Sequence, residues 1–291
     1  MPKKIIPFPQ RIDCVPEALM KSTVSAALKE DLGEIGDITS LSTLKGIKEN
    51  VISSVVTREE GVVCGLDIFI SVYKQIDPLL VIKKEKNDGD VVKKNDILIE
   101  ISGNPASITS GERTALNFLG LLSGISTNVH SLVSLIKGSS AKLLDTRKTL
   151  PNLRLFQKYA VAKGGGYNHR MGLFDMVLIK DNHITSSGGI EEAVRKARNA
   201  FPDQVIEVEI RNSDEVREAL FTDADIIMLD NMDNENVKKA ITLIKNDKYI
   251  EISGNIDRNR LVELANLGVD FISMGALTHN LRPLDLSLLI K

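Results

Sequence analysis

The chain has no tryptophan, and aromatic residues make up only 4% of its 291 positions. Platforms on which unpaired bases could stack are therefore scarce. Lysine and arginine number 37 against 39 aspartates and glutamates, a net charge of −2, which argues against a general nucleic-acid binder. The two cysteines, Cys14 and Cys64, are too far apart for a metal or redox spacing and read as reduced structural thiols. No stretch approaches ~20 uninterrupted apolar residues, which argues against a membrane span. The opening MPKKIIPFPQ lacks the apolar core of a secretory signal. What remains is an ordinary globular composition, 43% hydrophobic and 26% charged, expected for a cytoplasmic protein of one or two domains.

The charge that is present is unevenly spread. Between Lys142 and Lys180 there are eight lysines and arginines and two acids, a local charge of +6. Apolar runs and a Gly164-Gly165-Gly166 turn interrupt the cations, so this is folded chain and no basic tail. A folded region that gathers cations faces an anion.

Residues 16–32 read as an amphipathic helix ended by Gly33 and Gly36. From 51 to 101 the texture turns to short β-rich runs, the last of them a strand pair turning at Asp88-Gly89. Residues 1–105 are read as a compact α+β domain. Thr109 to Glu112 has capping-box spacing, opening a long helix that stops at Gly138, with Arg113 and Asn117 on one face.

Beyond Gly138, apolar runs at 142–145, 175–180, 204–210, 225–230, 249–253 and 270–274 alternate with helical patterns at 152–163, 190–200, 213–221, 233–245 and 257–267. That alternation predicts parallel strands with crossover helices, an α/β class. Each run ends in a polar or glycine cluster. A β/α barrel places its active site at those strand ends, whereas an open doubly wound sheet gathers ligands at one switch point. The spread favours a barrel over 106–280, with the alternating tail returning as an edge strand (281–291) to the first domain.

Arg147 and Lys148 follow one strand, His169 and Arg170 follow the glycine turn, and Lys180 ends the next strand. Arginine grips carboxylates in bidentate fashion and lysine acts as a point charge. Arg154, Lys158 and Lys163 are expected on a solvated helix surface. Glu209 and Asp230 end neighbouring strands and suit ribose hydroxyls, a Mg²⁺ ion or a developing positive charge; Glu207 shares a face with Glu209. Ser253-Gly254-Asn255 and Gly275-Ala276 offer small residues and backbone N–H groups of the kind that hold phosphate, with His279 near enough to assist. His183 is placed to orient the loop after Lys180, and His130 is packing or surface. No histidine shows zinc-ligand spacing.

Taken in order, KEDLGEIGDITS (29–40), SGERTALNFLGLLSGIST (110–127), DTRKTLPNLR, KYAVAKGGGYNHR, VLIKDNHI, EVEI, IIMLDN, EISGNI and the Gly275 loop resemble the quinolinate phosphoribosyltransferase family. Asn152 and Asn255 stand where glycine is common in that pattern. The resemblance implies an N-terminal α/β sandwich joined to an incomplete parallel α/β barrel of about seven strands, of which the pattern places six. It implies transfer of phosphoribose from phosphoribosyl pyrophosphate to quinolinate with loss of CO2, in NAD biosynthesis. Carried over, Thr146, Arg147, Lys148, His169, Arg170 and Lys180 would bind quinolinate, Lys148 and Lys180 being candidates for a catalytic part. Arg113 would arrive from the partner of a homodimer or of a higher oligomer. Glu209 and Asp230 would meet the ribose and its Mg²⁺, and Ser253, Gly254, Asn255, Gly275, Ala276 and His279 the 5′-phosphate.

Two other readings stay open at this stage, and a third is set aside. Lys180 could form a Schiff base in a barrel lyase. The chain could be the related pyrophosphorylase associated with molybdenum transport. DGDVVKKNDILIEISG is also reminiscent of a lipoyl or biotinyl carrier hairpin, but no lysine is presented at a tip, so it is read as structural.

Overall fold

In the computed structural model, residues 3–47, 49–245 and 247–291 are described. The chain forms two compact units, one of residues 12–130, 155–165 and 280–291, the other of residues 1–11, 131–154 and 166–279.

The first unit contains an antiparallel sheet. Strand β1 (Val51–Thr57) pairs on one side with β5 (Ile97–Gly103) and on the other with the chain's final strand, Leu286–Ile290. Strand β3 (Val81–Lys84) completes it beside β5. The tail thus returns to this sheet, as its alternation foretold. The strand pair expected with its turn at Asp88-Gly89 is divided: β4 (Val91–Val92) pairs with β2 (Gly61–Val62), and β5 pairs with β3 from the other side of that turn. The Asp88 carboxylate explains the turn, because it accepts the Gly65 and Leu66 N–H groups at 3.0 Å and so caps the helix Leu66–Ile76.

The long helix runs from Pro105 to Leu135, starting a turn before the expected capping box. Asn104 is the working cap, its side chain accepting from Ala106 N at 2.9 Å and Ser107 N at 3.3 Å, with Pro105 in the first helical position. Thr109 instead bonds back to the carbonyl of Pro105. This helix is long and apolar enough to cross a membrane by length and composition, but half of its most apolar window is buried. Gly120 and Gly124 let it lie against the backbone of 282–284 in the same unit, and it is read as a core helix. Because residues 106–130 and 155–165 group with the first unit, the two units do not divide at the 105/106 boundary expected from texture.

The second unit holds six parallel strands: β6 (Lys142–Leu144), β7 (Val177–Ile179), β8 (Ile206–Ile210), β9 (Ile226–Asp230), β10 (Tyr249–Ser253) and β11 (Phe271–Ser273). Their order, β6-β11-β10-β9-β8-β7, places consecutive strands β6 and β7 at opposite edges. The sheet is nevertheless curled. Leu144 from one edge, Met176 just before the other, Val205 just before β8, and Ile226 and Phe271 from the strands between them share a single core cluster. Near the open seam lies the element that the pattern left unplaced. Tyr167 makes a parallel bridge to Leu144, its N–H donating to Leu143 O at 2.9 Å while its carbonyl accepts from Asp145 N at 3.1 Å.

The N-terminal segment closes the floor of this unit. Ile6 and Phe8 pack into the same cluster, Phe8 edge-on to Phe271 with centroids 5.2 Å apart. Lys3 pairs with Asp270 at 2.6 Å, and Arg11 lies 4.0 Å above the Tyr167 ring.

Candidate active site

Strand register determines which side chains point inward. Period-2 alternation puts Glu207 and Glu209 of β8 on one face, Glu209 level with Met228 and Met228 level with Glu251. Two residues further along, on the same face, Asp230, Ser253, Ser273 and Leu144 stand abreast on four strands. Both glutamates of EVEI therefore face in, and so do Glu251, the first residue of EISGNI, and Ser273, which no motif marked. The motif names Glu251 as a residue type but does not say which way it points.

The cationic loops are tied together beneath their side chains. Asp145, fully buried, accepts from Asn168 Nδ2 at 2.7 Å and from His169 N at 2.9 Å, fastening the NHR turn to the end of β6. Arg154 belongs to this frame and is not plain helix surface. It donates to Thr149 Oγ1 at 3.0 Å and to Met171 O at 3.2 Å, joining the two loops. Lys158, also expected on the surface, is wholly buried. Thr146 receives the Lys148 N–H through its hydroxyl at 3.1 Å. His183 does orient its loop, accepting from Lys180 N through Nδ1 at 2.9 Å.

On that frame Arg147 and Lys148 are exposed, whereas Arg170 is buried, with Nη1 donating to Met176 O at 3.2 Å. Burial and then the neighbouring Arg147 charge pull the Arg170 guanidinium below its usual pKa range. Two guanidiniums that oppose one another in this way make a socket for an anion. The Lys148 stem passes over Gly275, where a Cβ would lie 2.8 Å from Lys148 Cδ and 3.3 Å from the His279 ring. Thr278 Oγ1 locks this arrangement by donating to Lys148 O at 2.7 Å.

Acids stand at the ends of the next two strands. Glu209 is paired with Lys180 and lies 4.0 Å from Arg211, which in turn holds Asp181 at 2.9 Å. Asp230 accepts from Asn231 Nδ2 at 2.9 Å, and Asn231 Oδ1 accepts from Asn255 Nδ2 at 3.0 Å. Gly254 sits between them at φ +94°. Asn255 and Asn152, the two departures from glycine, have φ of 47° and 61°, so each keeps the left-handed backbone that asparagine tolerates better than most residues.

His169 differs from its expected part. Its ring is turned inward, with Nε2 3.0 Å from Glu207 and 3.4 Å from Glu251, and with Nδ1 accepting the Arg170 N–H at 2.7 Å. In this arrangement neither nitrogen is left for a substrate carboxylate. Burial disfavours a charged ring and Glu251 and Glu207 favour one; the Arg170 N–H pointing at Nδ1 decides between them. A second proton would have to sit on Nδ1, where the Arg170 N–H already points. The hydrogen bond therefore assigns the single ring proton to Nε2. Burial and Glu251 push the Glu207 carboxyl upward in turn.

Two family models cover nearly the whole chain: the quinolinate phosphoribosyl transferase N-terminal domain matches residues 37–123, and its C-terminal domain matches residues 125–289. The chain belongs to the quinolinate phosphoribosyltransferase family. A probable nicotinate-nucleotide pyrophosphorylase [carboxylating] of Bacillus subtilis is 39% identical over 270 residues, covering 92% of each sequence. The chloroplastic nicotinate-nucleotide pyrophosphorylase [carboxylating] of Arabidopsis thaliana is 40% identical, spanning 93% of this chain and 82% of its own. A solved nicotinate-nucleotide pyrophosphorylase from Francisella tularensis superposes with a TM-score of 0.93 at 44% identity, covering 97% of this chain and 99% of its own. Within this family fold the cationic loops, the two acids and the two glycine loops all lie on the strand-end side of one unit. Arg113 lies in the other unit, exposed near the start of the long helix on the same side as Asn117.

Proposed function

We propose that the chain joins quinolinate to phosphoribosyl pyrophosphate, releasing pyrophosphate and CO2 and leaving nicotinate mononucleotide. The observation that carries this reading is the family match over residues 37–123 and 125–289, which is supported by the cations Arg147, Lys148 and Arg170 on loops that Asp145 ties together. The Schiff-base reading of Lys180 is weaker, because an ammonium paired with Glu209 is no nucleophile.

The chemistry follows from charge. The pyridine nitrogen attacks the anomeric carbon as pyrophosphate leaves, and positive charge grows on the ribose. Glu209 and Asp230 stabilise that charge. The C2 carboxylate then departs as neutral CO2, leaving an electron pair on a carbon beside N⁺ that takes up a proton. Arg147 and Arg170 bind the carboxylates, and Lys148, carried over Gly275, bridges the carboxylate and phosphate sides. Lys180 links the cationic and acidic halves: ribose hydroxyls that take Glu209 free its ammonium for the substrate. The two carboxylates suit a Mg²⁺ ion, which Asp230 and Glu209 would hold and which would offset the charge of the leaving pyrophosphate. Asp230, half exposed, is the better donor, since Glu209 is occupied by Lys180.

Ser253–Asn255 and Gly275–Ala276, with His279, take the 5′-phosphate. Arg113 completes the quinolinate socket from the partner of a homodimer, a role supported by its exposure. Incubation with quinolinate, phosphoribosyl pyrophosphate and Mg²⁺ should yield nicotinate mononucleotide. Product from nicotinate with none from quinolinate would overturn the reading.

A further inference from the structure

Beneath the cationic socket lies a cluster that the reaction does not itself use. Glu207 on β8 and Glu251 on β10 are both fully buried, and they converge on His169 Nε2 at 3.0 and 3.4 Å. Ser273 on β11 donates its hydroxyl to Glu251. Phe8 closes the floor, edge-on to the imidazole with centroids 5.2 Å apart. Two carboxylates buried this deeply are costly in a merely structural position, and hydrophobic residues would fill the same space more cheaply.

The arrangement has a direction. The glutamates draw the His169 proton to Nε2, which leaves Nδ1 as an acceptor, and Nδ1 holds the Arg170 N–H at 2.7 Å. Asp145 holds the adjoining His169 N–H at 2.9 Å. Two successive backbone amides are thus gripped from below, and the Arg170 guanidinium is aimed from a fixed base. Glu207 also supports the Arg170 charge against burial.

We propose that Glu207 and Glu251 are positioning residues for quinolinate binding: they fix His169 as its Nε2–H tautomer, and His169 in turn fixes Arg170. His169 is accordingly a positioning residue and not a carboxylate ligand. The kinetic part of this inference rests on the quinolinate reading, whereas the tautomer can be measured without substrate.

The test uses the full-length protein with ¹⁵N-labelled histidine. At neutral pH the His169 signal, assigned by its loss in His169→Asn, should show a protonated Nε2 and an unprotonated Nδ1. Glu251→Gln and Glu207→Gln should disturb that pattern and raise KM for quinolinate about tenfold, the worth of one charge-assisted hydrogen bond. KM for phosphoribosyl pyrophosphate should stay within about twofold, since the phosphate loops are untouched. Ser273→Ala, which keeps the glutamate, should shift both readouts the same way but less, and it serves if the glutamine variants do not fold. A doubly protonated ring, an Nδ1–H tautomer, a divalent ion bound between the three residues, or variants that lose thermal stability with no quinolinate-specific change would each overturn the inference. Wild-type protein inactive on quinolinate but showing the Nε2–H ring would instead sink only the functional reading.

Discussion

Replacing Gly254 by alanine offers the sharpest test of the acid-and-phosphate side. At φ +94° the residue lies where L side chains rarely go, a strain of about 1–2 kcal/mol. The new Cβ would also stand 2.5 Å from Asn231 Cγ and closer still to its Oδ1. Asn231 cannot yield without giving up its bonds to Asp230 and Asn255, 2.9 and 3.0 Å long, at about 1 kcal/mol each. The sum is a stability loss of about 3 kcal/mol, read as a shifted denaturant midpoint. Relief of the clash moves the loop proposed to hold the 5′-phosphate. KM for phosphoribosyl pyrophosphate should therefore rise by about two orders of magnitude, from two lost charge-assisted bonds, while quinolinate binding changes little. Gly268→Ala is the control: its φ is +81° but a Cβ there meets nothing within 4 Å. It should cost about 1 kcal/mol and leave both KM values alone. A folded Gly254→Ala enzyme with unchanged KM for phosphoribosyl pyrophosphate would refute the assignment of that loop.

Three further outcomes are expected. Lys180→Ala strands Glu209, whose side chain is 6% exposed, with Arg211 at 4.0 Å; the loss should be about 1–2 kcal/mol, below the fully buried range because Lys180 is half exposed. Adding Glu209→Gln should restore stability but not turnover, and a double-mutant cycle with no coupling would count against the pair. Asp145→Ala removes the carboxylate that accepts from Asn168 Nδ2 and His169 N, costing about 2–3 kcal/mol and lowering kcat/KM for quinolinate more than for phosphoribosyl pyrophosphate; equal losses would mean Asp145 does not hold the socket. Burial and then Glu112 raise the Tyr73 phenol above its usual pKa. The folded state thus keeps its proton where the unfolded chain loses it, so this contribution is complete below pH ~10 and falls away above it. Tyr73→Phe should flatten that alkaline decline, at about 1 kcal/mol for the lost bond to Ile108 O; an unchanged alkaline slope would show that another group governs it.

The barrel helices and strands were legible because their signal is periodic. The helix 190–200 and the strand 249–253 fall where the pattern put them. Signals that depend on partners were not legible. Thr109 and Glu112 have the spacing of a cap, yet Asn104 is the cap, and spacing alone cannot tell the first turn from the second. The runs of DGDVVKKNDILIEISG read as one strand pair with its turn signal at Asp88-Gly89, but tertiary pairing sends β4 and β5 to different sheets. Tyr167 contributes a single bridging residue, too short for any period to register. Within the site, the cations and the acids at strand ends were visible as residue types. The inward turn of His169 was not, because it depends on Glu251, which is 82 positions away in a separate motif, EISGNI, and no spacing links the two.

The floor laid by the N-terminal segment has a consequence for how the chain is assembled and cut. Phe8 rests on Phe271, and Lys3 on Asp270, contacts spanning nearly the full length of the polypeptide. The other unit likewise needs residues 280–291 to complete the sheet begun at Val51. Neither unit is one stretch of chain, so no single cleavage releases either of them whole. On a ribosome adding about 5–20 residues per second, the first segment waits from roughly a quarter of a minute to most of a minute for its partner strand. The first segment thus waits for residues 270 and 271, and the sheet begun at Val51 waits for residues 286–290.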